Sequence, residues 1–272
     1  MPSSRSDVEV ALAAAAAGAE VVRTAYGGDL TRHAKSAIDF ATDADLDAER
    51  AILAVLARER PDDGRIGEES GASGTGGAAR RWLVDPLCGT LNFAAETPLV
   101  AVNVALVDGD RTLAAVAEDP LAGEAFWTDG ARAGVRRRGA DTPLVPSARS
   151  RLVDVNCDGP FDRPFLGPQL VADPAFRAAF GPRVLSTTLA VAWVAAGRRA
   201  GYVTDGSLVD NVHFAAGVGL CQAAGCVVTD LRGDPLHTGR GLIVAADADT
   251  HAALLDLIRP HLDRVLVAPA HG

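Results

Sequence analysis

The stretch W-L-V-D-P-L-C-G-T-L-N-F, residues 82–93, decides how the rest of the sequence is interpreted. Its hydrophobic start, W-L-V, is typical of a buried strand, and D-P followed by G-T predicts a tight loop where that strand ends. The strand therefore carries a carboxylate, Asp85, into a turn. Cys88 lies in the same loop, and its presence there requires an explanation.

The composition predicts a globular protein of the reducing cytoplasm. A chain of 272 residues with 48% hydrophobic residues is long enough for one large domain or two close subdomains. No apolar run reaches the ~18 residues of a membrane span, and no basic segment precedes the alanine-rich N-terminal run as in a signal peptide. The net charge of −9 argues against nucleic acid or an anionic membrane as a partner. The four cysteines have no zinc-finger spacing, which favours free thiols.

Helices packed on a hairpin sheet are predicted for the first part of the chain. Residues 7–26 have the helical period, and residues 42–57 form a second helix that Thr42 caps. The glycine-rich segment 71–77 predicts a flexible loop. Three alternating apolar runs predict hairpins of a mainly antiparallel sheet, at residues 100–107, 112–119 and 123–128.

Strands and helices alternate in the second part of the chain. Helices are predicted at residues 186–197, 213–224 and 251–262, and strands at residues 152–156, 201–205, 226–230 and 242–245. We therefore divide the chain into an N-terminal α+β subdomain, residues 1–145, and a C-terminal α/β subdomain, residues 146–272. Glu68 and the D-P-L-C-G-T loop belong to the first and His213 to the second, with the active site expected between them.

Three motifs in this order resemble the inositol monophosphatase superfamily of Mg²⁺-dependent, Li⁺-sensitive phosphomonoesterases. They are G-E-E-S at residues 67–70, the W-L-V-D-P-L-C-G-T-L-N-F stretch, and V-H-F-A-A-G followed by a helix ending Q-A-A-G, at residues 212–225. The resemblance covers nearly the whole chain. It implies a mixed α+β and α/β fold, the layered αβαβα sandwich of that family, and a small-molecule substrate. It also implies a homodimer.

The resemblance assigns the metal and water-activating residues. Glu68, Asp85, the Leu87 carbonyl and Thr90 match the first Mg²⁺ site of the family. Thr90 and Asp45 match the pair that orients and deprotonates the attacking water.

Further positions match the substrate contacts of the family. The amides around Gly89 and Thr90 match its phosphate cradle at a helix start. The segments that contact the substrate alcohol contain Ser186, Thr187, Thr188, Asp205 and Asp210. Asp210 has a second interpretation, as a helix cap one turn before His213.

Two residues depart from the family pattern in one ligand shell. Where the family has aspartates of the second metal site, this chain has Cys88 and His213, and Val212 replaces the neighbouring tryptophan. A thiolate and an imidazole are poor Mg²⁺ ligands, but with Asp85 they form an O/S/N set suited to Zn²⁺ or another softer ion.

Three interpretations of this altered site remain open. The protein is a phosphatase that keeps metal-activated water and has a weakened or differently filled second site. Alternatively, Cys88 and His213 form a metal-free catalytic pair for cyclisation, acyl transfer, isomerisation or elimination in specialised metabolism, with a thiol pKa lowered by the nearby helix start. The third interpretation is a non-catalytic relative kept for binding. Lys35, the single lysine of the chain, is interpreted as a surface residue without a special role.

Overall fold

A computed structural model describes residues 5–35, 40–75, 78–159, 165–206, 208, 211–236 and 240–267. Contacts between residues divide the chain into two compact units. The first contains residues 1–143, 187–189 and 210–223, and the second contains residues 144–186, 190–209 and 224–272. The sequence-based division at residue 145 assigned His213 to the C-terminal subdomain, whereas its segment groups with the first unit. A hydrogen bond between His213 and Asp85 is one physical reason for this grouping.

Helices and strands alternate along the described chain. The helices are α1 (Asp7–Ala25), α2 (Asp43–Glu59), α3 (Thr90–Ala94), α4 (Leu166–Ala172), α5 (Pro174–Ala179), α6 (Leu189–Ala195), α7 (Ala215–Ala224) and α8 (Ala248–Val267), with a 3-10 turn at Ala148–Ser150. The strands are β1 (Arg32–Ala34), β2 (Phe40–Thr42), β3 (Gly64–Gly67), β4 (Gly71–Gly74), β5 (Arg80–Cys88), β6 (Ala101–Asp108), β7 (Arg111–Asp119), β8 (Glu124–Thr128), β9 (Ala133–Arg137), β10 (Ala140–Pro143), β11 (Leu152–Val155), β12 (Gly181–Val184), β13 (Gly201–Thr204), β14 (Val227–Thr229) and β15 (Leu242–Ala245). Each predicted helix and strand is present, with ends that differ by a few residues. None of the described helices is long and apolar enough to cross a membrane.

An eight-stranded sheet forms the framework of the first unit. Its strand order is β10-β9-β8-β7-β6-β5-β3-β4. β3 and β5 run parallel, and the other neighbouring strands pair antiparallel, which confirms the predicted hairpins of β6, β7 and β8.

The apolar faces of α1 and α2 pack against this sheet. Trp82 and Val84 of β5 are fully buried in the same cluster as Ile52 of α2 and Val10 of α1. Alternate residues of a strand point to one face, so this spacing sends Leu83 to the other side of the sheet. Removing the Trp82 side chain would cost about 3–5 kcal/mol of the free energy of unfolding. The strand that ends at the candidate site is therefore firmly anchored.

The prediction of a flexible loop at residues 71–77 is wrong for its first half. Gly71–Gly74 forms strand β4, which pairs antiparallel with β3 at the edge of the sheet. Backbone pairing needs no side chain, and neighbouring strand context overrides the weak strand preference of glycine. Residues 76 and 77 lie outside the described residues. The G-E-E-S motif is consequently a hairpin turn.

The second unit contains a five-stranded mixed sheet in the order β12-β11-β13-β15-β14. β11 runs parallel to β12 and β13, whereas β15 runs antiparallel to β13 and β14. Its core combines apolar residues of the strands with those of α4 and α8, including Val153, Leu170 and Leu254. The predicted change to alternating helices and strands after residue 145 is confirmed.

Candidate active site

The end of β5 presents Asp85 and Cys88 through a break in strand pairing. Asp85 lies opposite Asn103 of β6 and Cys88 opposite Ala101, with a register shift between them. Pro86 lies within this interval, and proline cannot donate to a strand ladder. Such bulges change the direction of side chains near functional sites. Gly89 then takes the left-handed conformation (φ 97°), which favours glycine, and α3 begins.

Asp85 is the centre of a hydrogen-bond network in the first unit. Its side chain is fully buried. Oδ1 accepts from the Leu87 amide (3.2 Å), and Oδ2 accepts from Asn103 Nδ2 (3.4 Å). The Nδ1 atom of His213 lies 2.8 Å from Oδ2. Burial alone would lower the pKa of His213, but its hydrogen bond with Asp85 and the charges of Asp85 and Glu68 raise that pKa to about 9. The imidazole is thus protonated at neutral pH beside a carboxylate.

Glu68 lies in the turn between β3 and β4, beside Asp85. Its amide donates to the Val84 carbonyl of β5 (3.0 Å), which fixes its position along that strand. Oε2 of Glu68 lies 3.9 Å from Nδ1 of His213. Burial and the charge of Asp85 raise the pKa of Glu68 to about 8, against the opposing effects of His213 and Lys35.

Glu49 of α2 holds this turn, and the sequence analysis did not identify it. Its buried carboxylate accepts from the amides of Glu69 (2.8 Å) and Ser70 (2.9 Å). A Cβ atom on Gly67 would lie 2.5 Å from Cδ of Glu49, so a larger residue there would force the Glu49 carboxylate to move. The signal in the sequence was a glutamate on the apolar face of a helix. The glycine of G-E-E-S is therefore required by a close approach.

Lys35 binds the two acids of that turn, so its interpretation as a surface residue without a role is wrong. Its Nζ atom donates to Oε1 of Glu68 (2.9 Å) and to Oε1 of Glu69 (2.6 Å). Burial lowers the pKa of Lys35, but these two carboxylates outweigh it and raise the pKa above its ordinary value. Lys35 is far from Glu68 in sequence, which is why composition alone could not connect them.

The Thr90 and Asp45 pair is present as predicted. The Thr90 hydroxyl lies 3.0 Å from Oδ1 of Asp45 and 3.2 Å from the Leu87 carbonyl oxygen. Oδ2 of Asp45 accepts from the amide (2.7 Å) and the hydroxyl (2.6 Å) of Thr42, the capping residue of α2. Burial raises the pKa of Asp45, and these hydrogen bonds oppose that rise. One carboxylate thus caps a helix and orients Thr90.

The surroundings of Cys88 raise the pKa of its thiol, whereas the sequence predicted a lowered pKa. Burial and the negative charges of Asp85 and Glu68 raise the pKa of the thiol well above its ordinary value, so the prediction of a lowered pKa is wrong. The amide of Thr188 donates to Sγ (3.4 Å), but this one donor is outweighed. The adjoining helix, α3, has only five residues.

The residues predicted to contact the substrate belong to both units: Thr187 and Thr188 to the first, and Ser186 and Asp205 to the second. Thr188 also accepts from Asn103 Nδ2 (2.8 Å), and Thr187 Oγ1 accepts from the Leu189 amide (3.3 Å) at the start of α6. Asp205 lies in the second unit, where its carboxylate is paired with Arg240 and accepts from the Leu166 amide (3.0 Å). Substrate contact by Ser186, Thr187, Thr188 and Asp205 stays a prediction. Asp210 lies outside the described residues.

Two donor sets meet at Asp85. Asp85, Cys88 and His213 offer one carboxylate oxygen, one sulfur and one imidazole nitrogen, and these atoms all lie within 4.8 Å of one another. Glu68, Asp85, the Leu87 carbonyl and Thr90 are oxygen donors of the kind that suits Mg²⁺, and their binding of one ion stays a prediction. Asn103, which contacts both Asp85 and Thr188, was not identified from sequence, although an asparagine inside an apolar strand is an unusual feature.

Comparisons with known proteins identify the family. The sequence model of the inositol monophosphatase family matches residues 4–263. The chain belongs to the inositol monophosphatase family. An inositol-1-monophosphatase of Caulobacter vibrioides is 32% identical over 232 residues, covering 83% of this chain and 89% of that protein. The Nus factor SuhB of Pasteurella multocida is 33% identical over 270 residues, covering 94% of this chain and 96% of that protein.

A solved structure confirms the predicted inositol monophosphatase fold. The crystal structure of the extragenic suppressor protein suhB from Bartonella henselae has a TM-score of 0.79 at 28% identity, covering 92% of this chain and 97% of that one. Inositol monophosphatases are Mg²⁺-dependent phosphomonoesterases, so family membership supports an enzyme with phosphatase-type chemistry. The assignment of Glu68, Asp85, Thr90 and Asp45 to the metal and water-activating positions of the family stays a prediction, as does the exchange of two ligands for Cys88 and His213.

Proposed function

We propose that the protein hydrolyses the phosphate monoester of a small sugar, polyol or nucleotide-like metabolite. The contact of 3.0 Å between the Thr90 hydroxyl and Asp45 carries this proposal. A threonine that donates to a buried carboxylate keeps lone pairs that accept a hydrogen bond from water. This is the arrangement required of a general base and its orienting partner. The name of the relative from Caulobacter vibrioides, an inositol-1-monophosphatase, supports a cyclitol or sugar phosphate as substrate.

Mg²⁺ is the cofactor that the oxygen donors fit. Glu68, Asp85, the Leu87 carbonyl and Thr90 would hold it, since hard oxygen ligands suit this ion. When bound, Mg²⁺ neutralises phosphate charge and increases the acidity of water. Lys35 must release Glu68 or remain as a second cation beside it, because the lysine bonds the same carboxylate (2.9 Å).

Residues of the chain itself would accept the proton of the attacking water and bind the phosphate. Asp45 accepts the proton that water gives up through Thr90, and its second oxygen is held by Thr42, so the carboxylate cannot rotate away. The amides around Gly89 and Thr90, at the start of α3, would donate to phosphate oxygens. General acid–base groups of this kind contribute about 10²–10⁴-fold to the rate.

A second candidate function is metal-free catalysis by Cys88 and His213. The contact of 2.8 Å between Asp85 and His213 Nδ1 favours it, because a carboxylate at one ring nitrogen orients the other nitrogen towards a substrate. With a pKa of about 9, the imidazole would act as a general acid at neutral pH. The reaction would be a cyclisation, acyl transfer, isomerisation or elimination.

Restoration of the family ligands separates the two candidates. The native chain and the double variant Cys88→Asp/His213→Asp are incubated with Mg²⁺ and a panel of inositol, sugar and nucleoside monophosphates, and released phosphate is measured. Native release that disappears in Asp45→Asn supports the phosphatase. Release by the double variant alone, abolished when Asp45→Asn is added, contradicts native phosphatase activity. No release by either chain, together with binding of a protein partner, would favour the non-catalytic interpretation.

A homodimer is the proposed assembly, by analogy with the family. Light scattering of the purified chain after size-exclusion chromatography tests it directly, and a mass of 28.0 kDa would exclude a stable dimer.

A further inference from the structure

Asp85, Cys88 and His213 differ in donor chemistry from a Mg²⁺ site. They converge from the end of β5 and from the turn before α7, with their donor atoms within 4.8 Å of one another. Mg²⁺ requires hard oxygen ligands in near-octahedral array, and a sulfur and a nitrogen do not satisfy it. A thiolate, an imidazole and one carboxylate are instead typical ligands of Zn²⁺.

A three-ligand tetrahedral site sets the distances that these donor atoms would have to reach. In such a site sulfur and nitrogen lie ~3.5 Å apart, given ~2.3 Å for Zn–S and ~2.0 Å for Zn–N. The carboxylate and imidazole of Asp85 and His213 are 2.8 Å apart and share a proton. A cation between them would replace that proton and separate the two atoms slightly. The three donor atoms already lie within 4.8 Å of one another, so binding requires them to approach a common ion.

Supporting donors already surround two of the three side chains. The Thr188 amide donates to Cys88 Sγ (3.4 Å), and Asn103 Nδ2 donates to Oδ2 of Asp85 (3.4 Å). The Leu87 amide donates to Oδ1 of the same carboxylate (3.2 Å). Partners of this kind orient metal ligands and raise affinity by about 10–100-fold. The amide directed at the Cys88 sulfur would stabilise the thiolate form that binds a metal.

We infer that Asp85, Cys88 and His213 bind a borderline or soft divalent cation of the Zn²⁺ class, with one coordination position left open. An open position is a property of catalytic zinc sites, where water or a substrate oxygen completes the tetrahedron. This inference goes beyond the proposed hydrolysis, because metal binding at these three residues is measured without any substrate.

Cobalt substitution tests the site on the full chain. The chelator-treated protein is titrated with Co²⁺, whose thiolate complexes have a charge-transfer absorption that oxygen and nitrogen ligands lack. Native protein is expected to develop this band with one Co²⁺ per chain, to lose it when Zn²⁺ is added, and to keep it in excess Mg²⁺. Cys88→Ser should abolish the band, and Cys226→Ser, which alters a thiol in the second unit, should retain it.

Two further readouts exclude simple misfolding of the variants. Circular dichroism is compared for each variant, and Zn²⁺ should raise the melting temperature of the native chain and of Cys226→Ser but not of Cys88→Ser. His213→Asn should weaken Zn²⁺ binding at least ~10-fold while remaining folded. A band that persists in Cys88→Ser, or no tight Zn²⁺ binding by the native chain, would overturn the inference. Phosphate release is measured separately, so either proposal can fail alone.

Discussion

The ammonium group of Lys35 lies 2.9 Å from Oε1 of Glu68, the carboxylate that we propose as a ligand of Mg²⁺. A positive charge is therefore already present where Mg²⁺ would bind. Lys35 is also held by Glu69, so it is one fixed member of a cluster and not a mobile surface group. This arrangement makes the lysine a competitor of the metal.

Lys35→Met is expected to tighten Mg²⁺ binding. Removal of one positive charge from an acidic site reduces the repulsion of a second cation, and the side chain is partly exposed, so we expect about a tenfold lower Kd, or ~1.4 kcal/mol. Calorimetric titration at about pH 8.5, where protons compete less for the carboxylates, measures it. Lys35→Arg retains the charge and is the control. Weaker binding in Lys35→Met would mean that the lysine positions Glu68 for the metal.

Asp45→Asn and Thr90→Val should each strongly reduce phosphate release. The first replacement removes the proton acceptor, and the second removes the hydroxyl that lies 3.0 Å from it. We expect kcat to fall by about 10²–10⁴-fold with a smaller change in KM. Asp43→Asn is the matched control, because Asp43 is another acid in the first turn of α2 but is half exposed. Equal losses for Asp43→Asn and Asp45→Asn would contradict the proposed role.

Sequence motifs predicted the helices and strands and singled out candidate ligands, but not the hydrogen bonds that hold these side chains. W-L-V-D-P-L-C-G-T placed Asp85 and Cys88 at a strand end because local hydrophobicity and turn residues are encoded nearby. Lys35 and Glu49 were missed because their partners are distant in sequence, and only the fold brings them together.

The pKa of Cys88 could not be predicted from sequence for the same reason, since it depends on residues that only the fold brings together. A glycine and a helix start beside a thiol predicted a lowered pKa, but burial and the neighbouring carboxylates Asp85 and Glu68 have the larger effect. The burial of the thiol depends on the packing of the whole first unit and cannot be predicted from a short motif. The short β4 was misjudged for a related reason, since its pairing comes from β3.

Gly67→Ala should destabilise the first unit and displace the turn that carries Glu68. The added Cβ atom would lie 2.5 Å from Cδ of Glu49. Relief of that overlap would break the two hydrogen bonds from the turn, and we expect a loss of about 1–3 kcal/mol in the free energy of unfolding. Urea denaturation measures it. In the double variant with Glu49→Ala the two losses should not add, because the clash is gone. Additive losses would exclude this contact as the cause.

Glu118 of β7 should make the stability of the protein decrease as pH rises. It faces a cleft of about 360 Å³ beside Leu12 and Ala16 of α1. Burial raises its pKa from 4.5 to about 7, against the opposing charge of Arg23. Between these two values the unfolded chain loses the proton while the folded chain keeps it. The folded state therefore binds more protons, and the free energy of unfolding falls as pH rises through this range.

Glu118→Gln should remove that decrease and stabilise the protein above about pH 7, by roughly 1–3 kcal/mol. A neutral amide has the same size and keeps no charge to be buried. Urea denaturation at several pH values from about 5 to 8 measures the slope for each chain. Glu96→Gln replaces an exposed glutamate in the same way and should reproduce the native slope. If the free energy of unfolding of Glu118→Gln changes with pH as it does in the native chain, the Glu118 carboxyl has the same pKa in the folded and unfolded states. Burial then does not raise its pKa.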